Sequence, residues 1–368
     1  MKALALVEAA DHPSYRYRIE AFAWALAERG VYVTAMSFGR GAGRLRAIRA
    51  AGRFDVVILQ RKLLPIWQLL LLRRNARRLI YDFDDALFHR DSYSRKGPES
   101  WSRTARFWAT VYSADAVLAG NDHLAEAAAA YAPAERVQVV PTCIDPRRYR
   151  PAPHERRGTA ARLVWIGQSS TLPSLEAARR QMAAAAERVP GLQLRLICDR
   201  GIKLDPLRVE TRRWSSATEA EDLAAGDIGV TWLPDDSWSP GKCGLRVLQF
   251  MAAGLPVVAN RVGMNRRMVV DGETGFLADT PREWAEVVGR LADDPQLRRR
   301  MGAAGRRLVE QQYGVEIWGR RFSDVLAGVG DCGAGTNQGV VANPSRCAVR
   351  ESGRVSSNIT PPRASACG

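Results

Sequence analysis

Lys242, Arg246 and Gln249 are the residues whose types and spacing most suggest a ligand site. They stand in the stretch Ser239-Pro240-Gly241-Lys242-Cys243-Gly244-Leu245-Arg246-Val247-Leu248-Gln249-Phe250-Met251-Ala252-Ala253-Gly254. Its apolar residues predict a core helix that opens near Cys243 and stops at Gly254. Spacings of four and three put Lys242, Arg246 and Gln249 on one helix face. Two cations at a helix start work against the macrodipole unless an anion joins them. A phosphate there would meet the free N–H groups of Cys243, Gly244 and Leu245, the positive dipole end and both cations. The bland alternative is a solvated Lys–Arg pair, with Gln249 satisfying a buried backbone group. A polar stripe on an otherwise apolar helix argues for a partner.

A second set is acidic. Asp82, Asp84 and Asp85 end the apolar run Leu79–Tyr81 and, by the rule for parallel sheets, face a cleft. Asp84 or Asp85 could orient a hydroxyl substrate or assist its deprotonation. Capping and turn formation would use the same residues. With Lys242 they form the candidate catalytic set. Arg16 and Arg18 lie near the start of the first expected helix, where positions two apart face different ways, so at most one reaches a ligand. Gly39 to Gly43 lacks dinucleotide-binding spacing. His89, His123 and His154 are scattered, and the six cysteines show no metal-ligand spacing. No metal site is expected.

These residues need a frame. Strand-length apolar runs (Ala3–Val7, Val31–Met36, Val56–Leu59, Leu79–Tyr81, Ala116–Leu118, Val137–Val140) alternate with helical segments. Continuous apolar strands of this kind belong in a parallel sheet covered on both faces. Prolines and arginines at 151–157 suggest a linker. The pattern then restarts with Leu163–Ile166, Leu194–Ile197, Ile228–Trp232 and Pro256–Ala259. The expected fold is therefore α/β with two doubly wound, Rossmann-like domains facing a cleft: residues 1–157 and 158–311, then a helix at 312–327. Residues 328–368 hold no Leu, Phe, Trp, Tyr or Met and read as a disordered tail.

The 368 residues are 46% apolar, enough for two cores, which excludes global disorder. Lys and Arg number 54 against 39 Asp and Glu, a net charge of +15 that favours anionic partners. No recognisable reading helix or aromatic platform points to nucleic acid, so none is expected. No signal peptide or spanning segment is read, and the cysteines fit a reduced compartment, so a cytoplasmic location is expected. Leu63–Leu72, with Trp67 and followed by Arg73, Arg74, Arg77 and Arg78, is either a peripheral contact with the inner membrane face or a buried helix with a basic last turn.

From Gly241 to Leu277 the chain, including "MAAGLPVVANRVGMNRRMVVDGETGFLA", closely resembles the nucleotide-binding segment of family-4 (group 1) glycosyltransferases, retaining enzymes of GT-B fold. "YDFDDALF", "ADAVLAGNDHLAE" and "VVPTCIDPRRYRP" resemble that family's first domain. The resemblance implies a nucleotide-sugar donor on the second domain, a hydroxyl acceptor on the first, no catalytic metal and no other cofactor. It also implies a last helix crossing back onto the first domain. Two glutamates of the family, one on the donor sugar and one on the ribose, fall at Gly241 and Gln249. The family's Arg and Lys on the diphosphate fall in the loop Gly167-Gln168-Ser169-Ser170-Thr171, which brings hydroxyls and N–H groups without charge. Lys242 and Arg246 are then expected to supply that charge, with Gln249 on the ribose.

Overall fold

The computed structural model describes residues 1–331 apart from Arg40. The expected tail lies, from residue 332, outside the described residues. The first lobe runs β1 (Lys2–Val7), α1 (Pro13–Arg18), α2 (Ala23–Glu28), β2 (Tyr32–Ser37), α3 (Ala42–Ala50), β3 (Val56–Gln60), α4 (Ile66–Asn75), β4 (Leu79–Phe83), α5 (Trp101–Ser113), β5 (Ala116–Ala119), α6 (Asp122–Ala129) and β6 (Val137–Val139). Its six strands pair in parallel in the order β2-β1-β3-β4-β5-β6, with Leu4 opposite Val57 and Ile58 opposite Ile80. Every position of β3 and β4 is buried, because helices cover both faces of the sheet.

The second lobe runs β7 (Arg162–Ile166), α7 (Leu172–Ala177), α8 (Arg179–Arg188), β8 (Gln193–Ile197), β9 (Arg208–Arg212), α9 (Glu219–Ala224), β10 (Ile228–Thr231), α10 (Leu245–Ala252), β11 (Val257–Ala259), α11 (Gly263–Met268), β12 (Gly275–Leu277), α12 (Pro281–Asp293) and α13 (Pro295–Leu308). Its strands are also parallel, in the order β12-β11-β10-β7-β8-β9. The apolar pattern did not reveal β9 and β12. The first is the charged edge strand Arg-Val-Glu-Thr-Arg, and the second spans three residues, too short for a periodicity.

A π-helical turn at Val309–Tyr313 leads into α14 (Val315–Asp331), which runs past the expected end at residue 327 and makes 328–331 helical where a disordered tail was expected. This helix packs on α2 of the first lobe, where Phe322 lies against Phe22 at 5.0 Å between ring centres. The two lobes also share apolar clusters. Trp238 and Cys243 of the second lobe join the core beneath α3 to α6 of the first, and Tyr17 and Tyr149 join the core around α10. The carboxyl ends of both sheets thus meet where α10 begins, which is where ligands of such sheets bind.

Candidate active site

The helix expected from Cys243 opens two residues later, at Leu245. Gly244 takes the left-handed backbone conformation (φ 70°), and a Cβ there would fall 2.2 Å from Met268 Sδ. Only glycine fits that cap. Upstream, Ser239–Gly241 forms a 3₁₀ turn and Lys242 is extended (ψ 137°). Lys242 therefore lies outside the helix, and the single face joining Lys242, Arg246 and Gln249 does not form.

Lys242 turns instead to the first lobe, its Nζ 2.9 Å from Asp85 Oδ1. The candidate catalytic residues Asp84, Asp85 and Lys242 are thereby brought together, through a residue that sequence reasoning missed. Arg61 donates through Nη1 to Asp84 (2.6 Å) and through Nη2 to Asp85 (2.5 Å). It follows β3 directly, with φ at 56°, a left-handed conformation uncommon outside glycine and held here by the two carboxylates. Burial pushes the Asp84 carboxyl up, but Arg61, Arg18 and the Ser14 hydroxyl (2.7 Å) outweigh it and hold it below the usual range. Its place at a strand end could have marked Arg61, since that is where parallel sheets put their ligand-facing side chains.

Asp82 and Arg18 are spent on structure. Arg18 donates to Asp82 Oδ1 at 2.6 Å and to Val140 O at 2.7 Å, and both side chains are fully buried. Of the two early arginines, only Arg16 is left for a ligand. Its guanidinium lies 5.3 Å from the Tyr17 and Trp214 ring centres, and its Nη1 is buried without a hydrogen-bond partner.

Gly241 sits at the contact between the lobes. A Cβ on it would fall 2.6 Å from the Ala86 nitrogen and 2.7 Å from the Ala86 Cβ. Asn121 of the first lobe fixes the same segment, donating to Pro240 O (3.0 Å) and Lys242 O (3.1 Å). Cys243 is buried there too, its Sγ donating to Asp84 O at 3.3 Å.

Arg246 differs from all these cations. Its guanidinium stacks 4.4 Å from the Trp165 ring centre and donates to Ile166 O (2.6 Å), Thr231 Oγ1 (3.1 Å) and Thr171 Oγ1 (3.4 Å). These partners are all neutral, and it has no carboxylate partner among the described residues. Burial, opposed only weakly by Tyr93 and Cys198, draws its pKa down to about 10. No side chain caps the first turn of α10 beside it. An uncapped helix start next to a cation without a counter-charge favours an anion.

The Gly167–Thr171 loop braces this corner. Gly167 has room for no side chain, since a Cβ would meet Trp165 and Thr171. Gln168 and Thr171 form a reciprocal cap, and the Ser169 N–H is committed to Asp199 at 2.7 Å. Gln249 is buried and donates through Nε2 to Tyr17 Oη at 3.3 Å. Beyond it Tyr17 (2.8 Å), Tyr149 (2.5 Å) and Trp214 (2.8 Å) all donate to the buried Glu219 carboxylate, a network that joins the lobes. Burial and the Glu219 charge push the Tyr17 hydroxyl up to about 12. Neither this network nor Asn121 carried a sequence signal, because its members are far apart in the chain.

Residues 231–308, which hold α10 and its approach, match the family described as glycosyl transferases group 1. D-inositol 3-phosphate glycosyltransferase of Streptomyces avermitilis is 28% identical over 242 residues, which cover 58% of this chain and 52% of that protein. The enzyme of the same name from Thermomonospora curvata is 36% identical over 124 residues, covering 33% of this chain and 27% of its own. The chain thus spans about half or less of the length of these relatives. Among solved structures, Anabaena HepE in complex with UDP and glucose superposes with a TM-score of 0.63 at 16% identity, covering 89% of this chain and 100% of that one. Sucrose-phosphate synthase from Thermosynechococcus elongatus gives 0.68 at 16% identity, covering 89% and 99%. Residues 231–308 thus resemble the group 1 glycosyl transferases, and the two parallel six-stranded sheets with their covering helices form the GT-B fold shared with these solved structures.

Proposed function

We propose that this protein transfers a sugar from a nucleotide-sugar donor to a hydroxyl acceptor, with retention of configuration and without a metal. The observation that carries the donor site is Arg246, a guanidinium enclosed among neutral oxygens beside the uncapped start of α10. A diphosphate there would receive the first-turn N–H groups and the Arg246 charge in a low-dielectric corner, where both are worth more than in water. The same donors would stabilise the nucleoside diphosphate as it departs. Gln249, one helical turn further, has its carbonyl oxygen without a partner among the described residues and can accept from a ribose hydroxyl. HepE in complex with UDP makes a uridine donor the first to test.

On the facing wall, Asp84 and Asp85 would orient the acceptor hydroxyl and share its proton, with Arg61 paired to both carboxylates and Lys242 to Asp85. Those two cations and the Ser14 hydroxyl occupy the carboxylate oxygens a metal would need, which supports the metal-free reading. A cytoplasmic location, with peripheral contact at a membrane, completes the proposal. Among the described residues no helix is long and apolar enough to cross a membrane.

Gly241 supports a second reading. The position offers no side chain to a donor sugar and is closed by Ala86, as suits a sugar-nucleotide-binding protein without turnover. Incubation with UDP-, GDP- and dTDP-sugars, scored for release of the nucleoside diphosphate with and without candidate acceptors, separates the two. Release at a measurable rate supports the transferase, whereas tight nucleotide binding with no release supports the binder.

A further inference from the structure

The outer layer of the first lobe has an unusual composition. Helices α3, α4 and α5 lie side by side. Together they carry seven arginines and no acidic residue. Arg46, Arg49 and Arg74 among them are exposed. So are bulky apolar side chains: Trp67 and Leu70 on α4 are 58% and 61% exposed, and Trp101, Trp108 and Tyr112 on α5 are 88%, 48% and 68% exposed. Spacings of seven and four return to the same side of a helix, so the three α5 aromatics form one stripe. Trp67 and Arg74, also seven apart, do the same on α4. Single exposed apolar residues are ordinary, but five of them on two adjacent helices mark an interaction surface.

We propose that this face docks on a bilayer containing anionic lipid. Tryptophan and tyrosine prefer the level of the headgroups, where the ring is buried and the polar edge stays wet. Arginines around them match the negative surface of such a membrane and gain from each lipid phosphate they approach. No acidic residue stands on the three helices to oppose this, and Asp115, beside Trp108 and Tyr112, is paired with Arg73 at 3.2 Å. An acidic protein would match the charge but gives no reason for three tryptophans at the surface. A nucleic acid would call for aromatic side chains along a groove, whereas these stand on the convex outside of helices.

The position of the patch gives docking a consequence. Helices α4 and α5 follow β3 and β4, so Ile66, Trp67 and Trp101 lie toward the carboxyl end of the sheet, the end that carries Arg61, Asp84 and Asp85. A bilayer on this face would stand beside the wall proposed for the acceptor and would suit a hydroxyl carried on a lipid. The docking gives the peripheral membrane contact proposed above a face and a lipid charge, and it is expected whether or not the cleft turns over a donor.

Co-sedimentation of the full chain with vesicles tests the proposal, using phosphatidylcholine alone and phosphatidylcholine mixed equally with phosphatidylglycerol. The wild type is expected to pellet with the mixed vesicles and to stay in solution with the neutral ones. Trp67→Ser combined with Trp101→Ser, and separately Arg46→Glu with Arg49→Glu and Arg74→Glu, should each lower partitioning at least about tenfold. Their melting temperatures should match the wild type, because every changed side chain is exposed. Equal pelleting with neutral and anionic vesicles would overturn the proposal. So would variants that bind anionic vesicles as the wild type does, since the charge would then lie elsewhere in the chain. Pelleting without vesicles that the tryptophan variant abolishes would give the patch to a second copy instead.

Discussion

The ammonium of Lys242 in the second lobe lies 2.9 Å from the Asp85 carboxylate in the first, so the cation expected at the donor phosphate is spent on joining the lobes. Lys242→Ala and Asp85→Asn should each destabilise the protein, and together they should cost less than their sum. A coupling of about 1 kcal/mol is expected for a partly exposed pair. Urea unfolding of the two single variants and the double variant gives it. A coupling near zero would mean that the pair contributes nothing in solution.

Gly241 is expected to be a steric requirement. A Cβ on Gly241 would lie 2.7 Å from the Ala86 Cβ. Gly241→Ala should therefore destabilise the fold by about 1–3 kcal/mol through overpacking. Ala86→Gly in the same chain should restore part of the loss, as read in thermal unfolding. A Gly241→Ala variant as stable as the wild type would show that the lobes do not meet there.

Asp84 provides a test by pH. Its carboxyl is held low in the folded chain, despite burial, by Arg61, Arg18 and Ser14. A depressed carboxylate adds stability that is complete above its unfolded value, about 4 for aspartate, and is lost as pH falls through the lower native value. The wild type should thus lose stability below about pH 4 more steeply than Asp84→Asn. Parallel acid limbs would mean that Asp84 gains nothing from its partners.

The Tyr17–Gln249 bond orients an amide whose oxygen is proposed to meet the ribose. Gln249→Leu should weaken nucleoside diphosphate binding at least about tenfold, or roughly 1.4 kcal/mol. It should also narrow the preference for the ribonucleotide over its 2′-deoxy form. Calorimetry with both ligands measures this. An unchanged affinity and ratio would leave Gln249 as a buried partner of Tyr17 alone.

How far the sequence carried can be judged from particular residues. The alternation of buried strands with helices announced two parallel sheets, because strands such as Val56–Gln60, buried on both faces, must be apolar throughout. Arg246 and Gln249 stood out in the sequence because they interrupt an apolar helix. The role of Lys242 was not, since a left-handed Gly244 delays the helix by two residues and turns the lysine toward the other lobe. Arg61, Asn121 and Glu219 were missed for a related reason. Each acts on residues distant in sequence, which spacing along the chain cannot relate.

The claim that α10 and Arg246 hold the donor diphosphate is tested most directly by nucleotide calorimetry on Arg246→Met, which keeps a long apolar stem against Trp165. UDP, GDP and dTDP are screened first, and the best ligand is compared with its nucleoside. The variant should lose at least about tenfold in affinity for the nucleoside diphosphate, the worth of one charge-assisted contact, while its affinity for the nucleoside stays as in the wild type. Undiminished affinity for the diphosphate in a folded variant would contradict the assignment.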